Sequence, residues 1–96
     1  MKIDVYNEGV CRAIRDKYIE CSGQYSKIID EIMTTASRLE RIRRGEEKAS
    51  YKEYIDMNNM LNLLYDERDE MEIRRDTWGE AREICLDIAE KMAKKE

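Results

Sequence analysis

The stretch that decides the fold is residues 39–57, LERIRRGEEKASYKEYIDM, which contains the end of one helix and the start of another. Three arginines precede Gly45, and basic side chains followed by a glycine are typical of a helix C-terminus. Ser50 and Glu53 form a capping box, in which the serine hydroxyl accepts a hydrogen bond from the backbone amide three residues later. The stretch therefore predicts a short turn between two helices.

Apolar residues on both sides of this turn recur every three or four positions, which is the period of a helix and not of a strand. They fall into heptads, and only Thr35 is polar among the a and d positions of the first segment. Gly23 falls at an outward position and is not expected to break the helix. Because the chain also has no proline, we predict an all-α protein. Its single domain spans 1–96, with long helices at about 8–44 and 51–94.

Two helices joined by a short turn run antiparallel, and this arrangement places an a position of one helix opposite a d position of the other. The heptads of the two segments satisfy this condition in one register, in which facing residues have numbers that add up to 96. In this register Cys11 faces Cys85 and Leu39 faces Met57. The predicted architecture is therefore an antiparallel two-helix hairpin.

A lone hairpin of this length leaves much apolar surface exposed to water. Ordering a residue costs about 1.5 kcal/mol, and one seam between two helices buries too little apolar area to offset that cost over the whole chain. Apolar residues beside the seam would remain wet, namely Ile29, Ala36, Met60, Tyr65, Ala81, Ile84, Leu86 and Ile88. We therefore expect a second copy to cover them in a homodimeric helical bundle.

Three consecutive a positions of the second segment are arginines, Arg68, Arg75 and Arg82. A guanidinium group buried without a partner is too costly to persist, so each must reach water, a carboxylate or a ligand. The structural interpretation, which we favour, is that they extend toward solvent and pair with acids such as Glu72 and Glu83. In that role they would help to set the register or the oligomeric state.

The same arginine row has a functional interpretation as an anion site. Guanidinium groups bind phosphates and carboxylates through paired hydrogen bonds. The predicted register places Tyr18 and Tyr25 of the first helix close to the row. The row and these two tyrosines are therefore candidates for binding phosphate groups or the acidic side chains of a partner.

Other aromatic and basic residues are candidates for contact with a protein partner, because tyrosine and arginine are common at interface hot spots. We expect Tyr6, Tyr51 and Tyr65 to be exposed, together with Arg41 and Arg44 near the turn. The basic residues near the turn also have a simpler role, since cations stabilise a helix C-terminus. With a net charge of −4, duplex nucleic acid is not an expected partner.

Catalytic chemistry finds little support in the sequence. The chain has no histidine, which is the commonest general base and a common metal ligand. Glu67 and Glu70 have the Glu-x-x-Glu spacing of carboxylate metal sites in bundles, but the first segment has no matching pair. We expect no enzyme activity, metal or cofactor. The three cysteines are expected to be core thiols, although in this register oxidation would join Cys11 to Cys85 before either joins Cys21.

These observations predict a non-enzymatic helical protein-binding module that acts as an inhibitor or adaptor, for example a phage-encoded inhibitor of host defence. Its expected partners are a second copy of itself and another protein. The alternative is a protein that binds or sequesters a nucleotide, a cyclic nucleotide or another phosphate-bearing small ligand at the arginine row. No apolar run is long enough to span a membrane and no leader is legible, so we expect a cytoplasmic location.

Overall fold

The computed structural model describes residues 8–94, and within that range the chain forms two helices. Helix α1 spans Glu8–Arg43 and helix α2 spans Tyr51–Lys94, with a turn between them at 44–50. They pack as a hairpin whose principal dimensions are 67 × 22 × 15 Å. The all-α hairpin that the heptads predict is confirmed, with helix bounds within one residue of the predicted ones.

Helix α1 ends in a turn that glycine adopts more readily than other residues. Gly45 has a φ of +79°, in the left-handed region where a Cβ atom is disfavoured. Its amide donates to the carbonyl of Ile42 at 3.1 Å, and the amide of Glu46 donates to the carbonyl of Arg41 at 2.9 Å. These bonds satisfy carbonyls that a helix end leaves without an intrahelical donor, so Gly45 is the stop signal that the sequence predicts.

Helix α2 begins at the predicted serine cap. The backbone amide of Glu53 donates to the hydroxyl oxygen of Ser50 at 3.1 Å. The amide of Tyr54 donates to the carbonyl of Ser50 at 3.0 Å, which is the first bond of the helical ladder. Ser50 therefore fixes the residue at which the chain reverses its direction and re-enters a helix.

The apolar core lies in the half of the hairpin next to the turn, which we call the turn half. Ile32, Leu39, Leu61 and Leu64 are buried in one cluster. Partly buried residues pack against this cluster, namely Ile28, Ile29, Ala36, Tyr54, Met57 and Tyr65. This cluster agrees with the predicted register, which places Ile32 opposite Leu64 and Leu39 opposite Met57.

The apolar residues beside the seam divide into two groups. Met60, Ile84 and Leu86 are exposed, as the sequence predicts. The prediction that the apolar residues beside the seam are exposed was wrong for five of them. The half-buried residues are Ile29, Ala36, Tyr65, Ala81 and Ile88. Side chains beside the seam are partly covered by the facing helix. The hairpin therefore buries more apolar surface than the side chains at its a and d positions provide.

The other end of the hairpin, where residues 8–15 of α1 meet residues 82–94 of α2, is the open end. Here Cys11 and Cys85 form a disulfide with a Cα–Cα distance of 5.8 Å, while Cys21 is buried with a free thiol. The pairing confirms the predicted register a second time. It corrects the expectation that Cys11 and Cys85 are core thiols, because facing a and d positions bring their Cβ atoms within reach of a disulfide.

Candidate functional site

The arginine row runs along α2, and its first member lies against its own helix. Both Nε and Nη2 of Arg68 donate to Oδ1 of Asp69 at 3.2 Å. Its guanidinium carbon lies 5.0 Å from the ring centroid of Tyr65, within the range of a cation–π contact. Arg68 is therefore occupied by an adjacent carboxylate and an aromatic ring of the same helix.

The second member, Arg75, reaches across the seam to α1. Its guanidinium carbon lies 4.2 Å from the ring centroid of Tyr25, and Nε and Nη2 donate to Oδ1 of Asp76 at 3.2 and 3.1 Å. The hydrogen bond that Arg75 donates to Asp76 raises the pKa of the Arg75 guanidinium, and the charges of Asp76 and Glu72 add to this effect. Arg75 therefore joins the two helices as a permanently charged side chain.

The third member, Arg82, differs from the other two. Its guanidinium carbon lies 5.4 Å from the ring centroid of Tyr18 on α1. Among residues 8–94 no carboxylate lies within 4 Å of its nitrogen atoms, although Glu83 follows it directly in the sequence. Arg82 is thus the member of the row whose hydrogen-bond donors remain available for another anion.

Two members of the row form ion pairs with carboxylates, as the structural interpretation expects, but with different partners. Asp69 and Asp76, each adjacent to its arginine, replace the expected Glu72 and Glu83 as ion-pair partners. Tyr18 and Tyr25 do meet the row, as predicted, through their rings. A continuous anion site along the row is not what the geometry offers, because two of the three guanidinium groups already have carboxylates.

A cleft of about 400 Å³ lies at the open end, beside Arg82. Arg12 in this cleft pairs with Glu8 at 3.3 Å, whereas the nearest carboxylate to Arg15 is Asp16 at 3.8 Å. The cleft is lined by Glu8, Cys11, Arg12, Arg15, Arg82, Cys85, Leu86 and Ala89. Sequence reasoning missed Arg12 and Arg15, although the register that faces position 14 with position 82 already placed them near Arg82.

The basic residues near the turn are neutralised by acids. Nη2 of Arg43 and Nε of Arg44 donate to Oε1 of Glu40 at 2.7 and 3.1 Å. Nε of Arg41 lies 4.0 Å from Oε2 of Glu47. The hydrogen bond from Arg43 lowers the pKa of the Glu40 carboxyl, and the charge of Arg44 lowers it further. This arrangement supports the helix-end role of these residues over a free basic patch.

The tyrosines predicted to be exposed differ in their surroundings. Tyr51 is exposed at the start of α2. Tyr65 is not exposed as predicted, because it packs against the apolar core and under Arg68. Tyr6 lies outside the described residues. Of the two that the structure describes, Tyr51 is therefore the one left available for a partner.

An apolar stripe on the outer side of α2, which sequence reasoning did not assemble, is formed by Leu63, Ile73 and Ile84. Their exposed fractions are 65%, 68% and 60%. The three residues follow one another at steps of 10 and 11, so they fall within about 80° of each other around the helix and about 15 Å apart along it. Leu61 and Leu64 pack toward α1. We call this set the outer stripe; its signal in the sequence was the presence of three large apolar residues at positions outside the a and d frame.

Two classes of site and structure are absent from the described residues. Within 8–94 no group of three or more His, Cys, Asp or Glu side chains is arranged to hold a metal ion, and this includes the region of Glu67 and Glu70. Neither α1 nor α2 has a stretch apolar enough to cross a membrane. No family model, curated protein or solved structure matches this chain, so its function has to be argued from the geometry of its own residues.

Proposed function

We propose that this chain is a non-enzymatic helical protein-binding module that acts as an inhibitor or an adaptor. The observation that carries the proposal is the outer stripe of α2, three large apolar side chains that the hairpin leaves more than half exposed. Burying one leucine or isoleucine side chain stabilises a complex by about 1.5–3 kcal/mol. A partner that covers the stripe therefore gains a contribution that the hairpin alone does not realise.

The charges around the stripe indicate the chemistry of the partner. Residues 66–90 of α2 contain ten acidic residues and four arginines, and Arg68 and Arg75 are already held by aspartates. The proposed partner therefore presents an amphipathic helix or an apolar groove bordered by lysine or arginine. An inhibitor of host defence encoded by a phage is one setting in which such a module would act.

The outer stripe can be tested with a matched pair of substitutions. Ile73 on α2 and Met33 on α1 are similarly exposed, at 68% and 63%. We expect Ile73→Glu to weaken binding of a purified partner at least tenfold, about 1.4 kcal/mol, because a carboxylate replaces an apolar contact. Met33→Glu should leave the affinity unchanged. The partner would first be isolated by affinity capture with the wild-type chain and then titrated calorimetrically against both variants.

The proposal fails if the two variants bind the purified partner equally well. It also fails if no protein binds the wild-type chain after capture from the cells that encode it. A normal helical circular dichroism spectrum for Ile73→Glu would show that a loss of binding does not arise from unfolding. The same spectrum for Met33→Glu completes the control.

We also propose that the module is a homodimer. Within residues 8–94 five apolar side chains are buried, and no large side chain is fully buried. Small domains with so little core commonly need a disulfide, a metal or a second subunit to be stable. The disulfide joins the helices only at the open end, so we propose that a second copy covers the exposed apolar side chains along the rest of the hairpin. Size-exclusion chromatography with light scattering at micromolar concentration should return twice the chain mass of 11.5 kDa; a mass of 11.5 kDa would contradict the dimer.

A cytoplasmic location stays a prediction from the sequence, and the disulfide makes it testable. Disulfides are rare in reducing compartments. If the protein works in the cytoplasm, we expect rapid thiol labelling of intact cells to find Cys11 and Cys85 reduced there. Recovery of the oxidised pair from cells would contradict that location.

A further inference from the structure

We infer that the open-end cleft is a binding site for a phosphate monoester of nucleotide size. This inference goes beyond the protein-binding function and does not depend on it. The sequence suggested a phosphate ligand along the whole arginine row. The proposed site instead uses only one member of that row, Arg82, together with Arg12 and Arg15 of α1.

The first step is the balance of charge in the cleft. Among the described residues that line it, three carry guanidinium groups, Arg12, Arg15 and Arg82, and one carries a carboxylate, Glu8. Glu8 pairs with Arg12 at 3.3 Å. The acid nearest to Arg15, Asp16, is 3.8 Å away, beyond hydrogen-bond distance. Two guanidinium groups thus keep donors for a phosphate, whose oxygens accept paired hydrogen bonds from arginine.

The second step is the shape and polarity of the floor. Besides the arginines, the disulfide between Cys11 and Cys85 and the side chains of Leu86 and Ala89 line the cleft, and we call these four residues its apolar floor. The cleft volume of about 400 Å³ lies within the range of roughly 300–1,000 Å³ that is usual for small-ligand sites. An anion with a flat or apolar body therefore fits better than a small inorganic ion, because the body can cover the floor while the phosphate meets the arginines.

The third step is the contrast with a second cleft on the same molecule. That cleft lies along the row, at Tyr18 and Arg75, and three acids line it: Asp76, Glu80 and Glu83. Arg75 is already hydrogen-bonded to Asp76 there. The side chains that line the second cleft carry a net negative charge, whereas those that line the open-end cleft carry a net positive charge. A phosphate is therefore bound more favourably in the open-end cleft.

Glu8 gives the inference a signed test. The Glu8 carboxylate competes with a ligand for Arg12. Because the Glu8 side chain is 77% exposed, it is free to move away from the cleft, but moving breaks its ion pair with Arg12. Glu8→Gln removes the competing charge and keeps a side chain of the same size. We expect this variant to bind the ligand severalfold more tightly than the wild type.

The experiment is isothermal titration calorimetry of the oxidised full chain with AMP, adenosine and inorganic phosphate as separate probes. We expect AMP to bind more tightly than phosphate and adenosine not to bind measurably, because the charge and the apolar body both contribute. Arg82→Gln and Arg15→Gln should each weaken AMP binding at least tenfold. Arg68→Gln is the matched control from the arginine row and should bind AMP as the wild type does.

Three results of this experiment would contradict the inference or part of it. Absence of AMP binding at millimolar concentration overturns the inference, and so does an equal loss in Arg68→Gln and Arg82→Gln, which would indicate nonspecific attraction to positive charge. Arg15 is exposed, so Arg15→Gln keeps the test valid if Arg82→Gln alters the fold. Binding of phosphate and AMP with equal affinity would overturn the role of the apolar floor. Loss of partner binding in Ile73→Glu with AMP binding retained would show that the two surfaces are independent.

Discussion

The two halves of the hairpin are held together by different chemistry. In the turn half, Ile32, Leu39, Leu61 and Leu64 exclude water from a continuous apolar cluster. In the half toward the open end, Arg75 and Arg82 lie over Tyr25 and Tyr18, and a disulfide joins the helices beyond them. A helical seam therefore need not be apolar throughout, provided that covalent or ionic contacts hold the helices together where little apolar surface is buried.

Removing the disulfide should have the largest effect on stability. Closing a loop with a sequence separation of 74 residues contributes about 4 kcal/mol in the chain-entropy model. We expect Cys11→Ser with Cys85→Ser to lower the free energy of unfolding by about that amount, measured in urea at fixed protein concentration. If the open half were held by its polar contacts alone, the double variant would match the wild type.

Hydrogen exchange would show where this stability is lost. Amides of α1 and α2 near the open end should lose protection first in the double serine variant, whereas the turn half should keep it. The wild-type chain in a reducing agent provides a control without any substitution. Uniform loss of protection along both helices would contradict the division into two differently stabilised halves.

In the turn half, a core truncation should have the next largest effect. Leu64 is 6% exposed and Leu63, its neighbour, is 65% exposed. We expect Leu64→Ala to lower the free energy of unfolding by about 3 kcal/mol, because it opens a cavity among buried side chains. Leu63→Ala should cost less than about 0.5 kcal/mol in the isolated protein. Equal costs would mean that Leu63 is covered in solution, as a partner copy seated there would require.

In the open half, the contact of Arg75 with Tyr25 should have a smaller effect. Arg75→Ala removes a cation–π contact and an ion pair across a seam that water partly reaches. We expect a lower melting temperature than wild type, with a shift smaller than that of Leu64→Ala. Asp76→Asn is the matched variant that removes only the ion pair, and it should lower the melting temperature less than Arg75→Ala does.

The smallest effect concerns Glu40 near the turn. Its carboxyl pKa lies below the ordinary value of 4.5, first because of the hydrogen bond from Arg43. A lowered folded-state pKa means that the stabilising contribution is complete above the unfolded-state pKa and is lost as the pH falls through the folded-state pKa. In Arg43→Gln, NMR titration should find the Glu40 pKa closer to 4.5; an unchanged value would contradict the assignment to Arg43.

The sequence predicts the hairpin well because its heptads are almost uninterrupted and both ends of the turn carry specific signals. Gly45 and Ser50 act through local backbone chemistry, which depends on a few adjacent residues. The facing of Cys11 with Cys85 follows from the register alone. The disulfide between them was not predicted, because cysteines of a cytoplasmic protein are expected to remain thiols. In the structure the two residues are close enough to form the bond.

The open-end cleft was less predictable for a different reason. At seven-residue intervals the sequence reads Arg68-Asp69, Arg75-Asp76 and Arg82-Glu83. Heptad analysis treats these three pairs as equivalent, yet the structure pairs the first two and leaves Arg82 without a carboxylate within 4 Å among the described residues. Such a difference depends on the rotamers of individual side chains, which a periodic pattern does not specify.

The disulfide and the turn together make the segment from Cys11 to Cys85 a covalent ring. A protease that cuts one peptide bond in the turn at 44–50 would therefore leave the two helices attached as one molecule. The nicked protein should migrate as a single band on a denaturing gel and separate into two fragments only after reduction. The same ring topology would allow new chain termini to be placed at the turn while the helices remain linked.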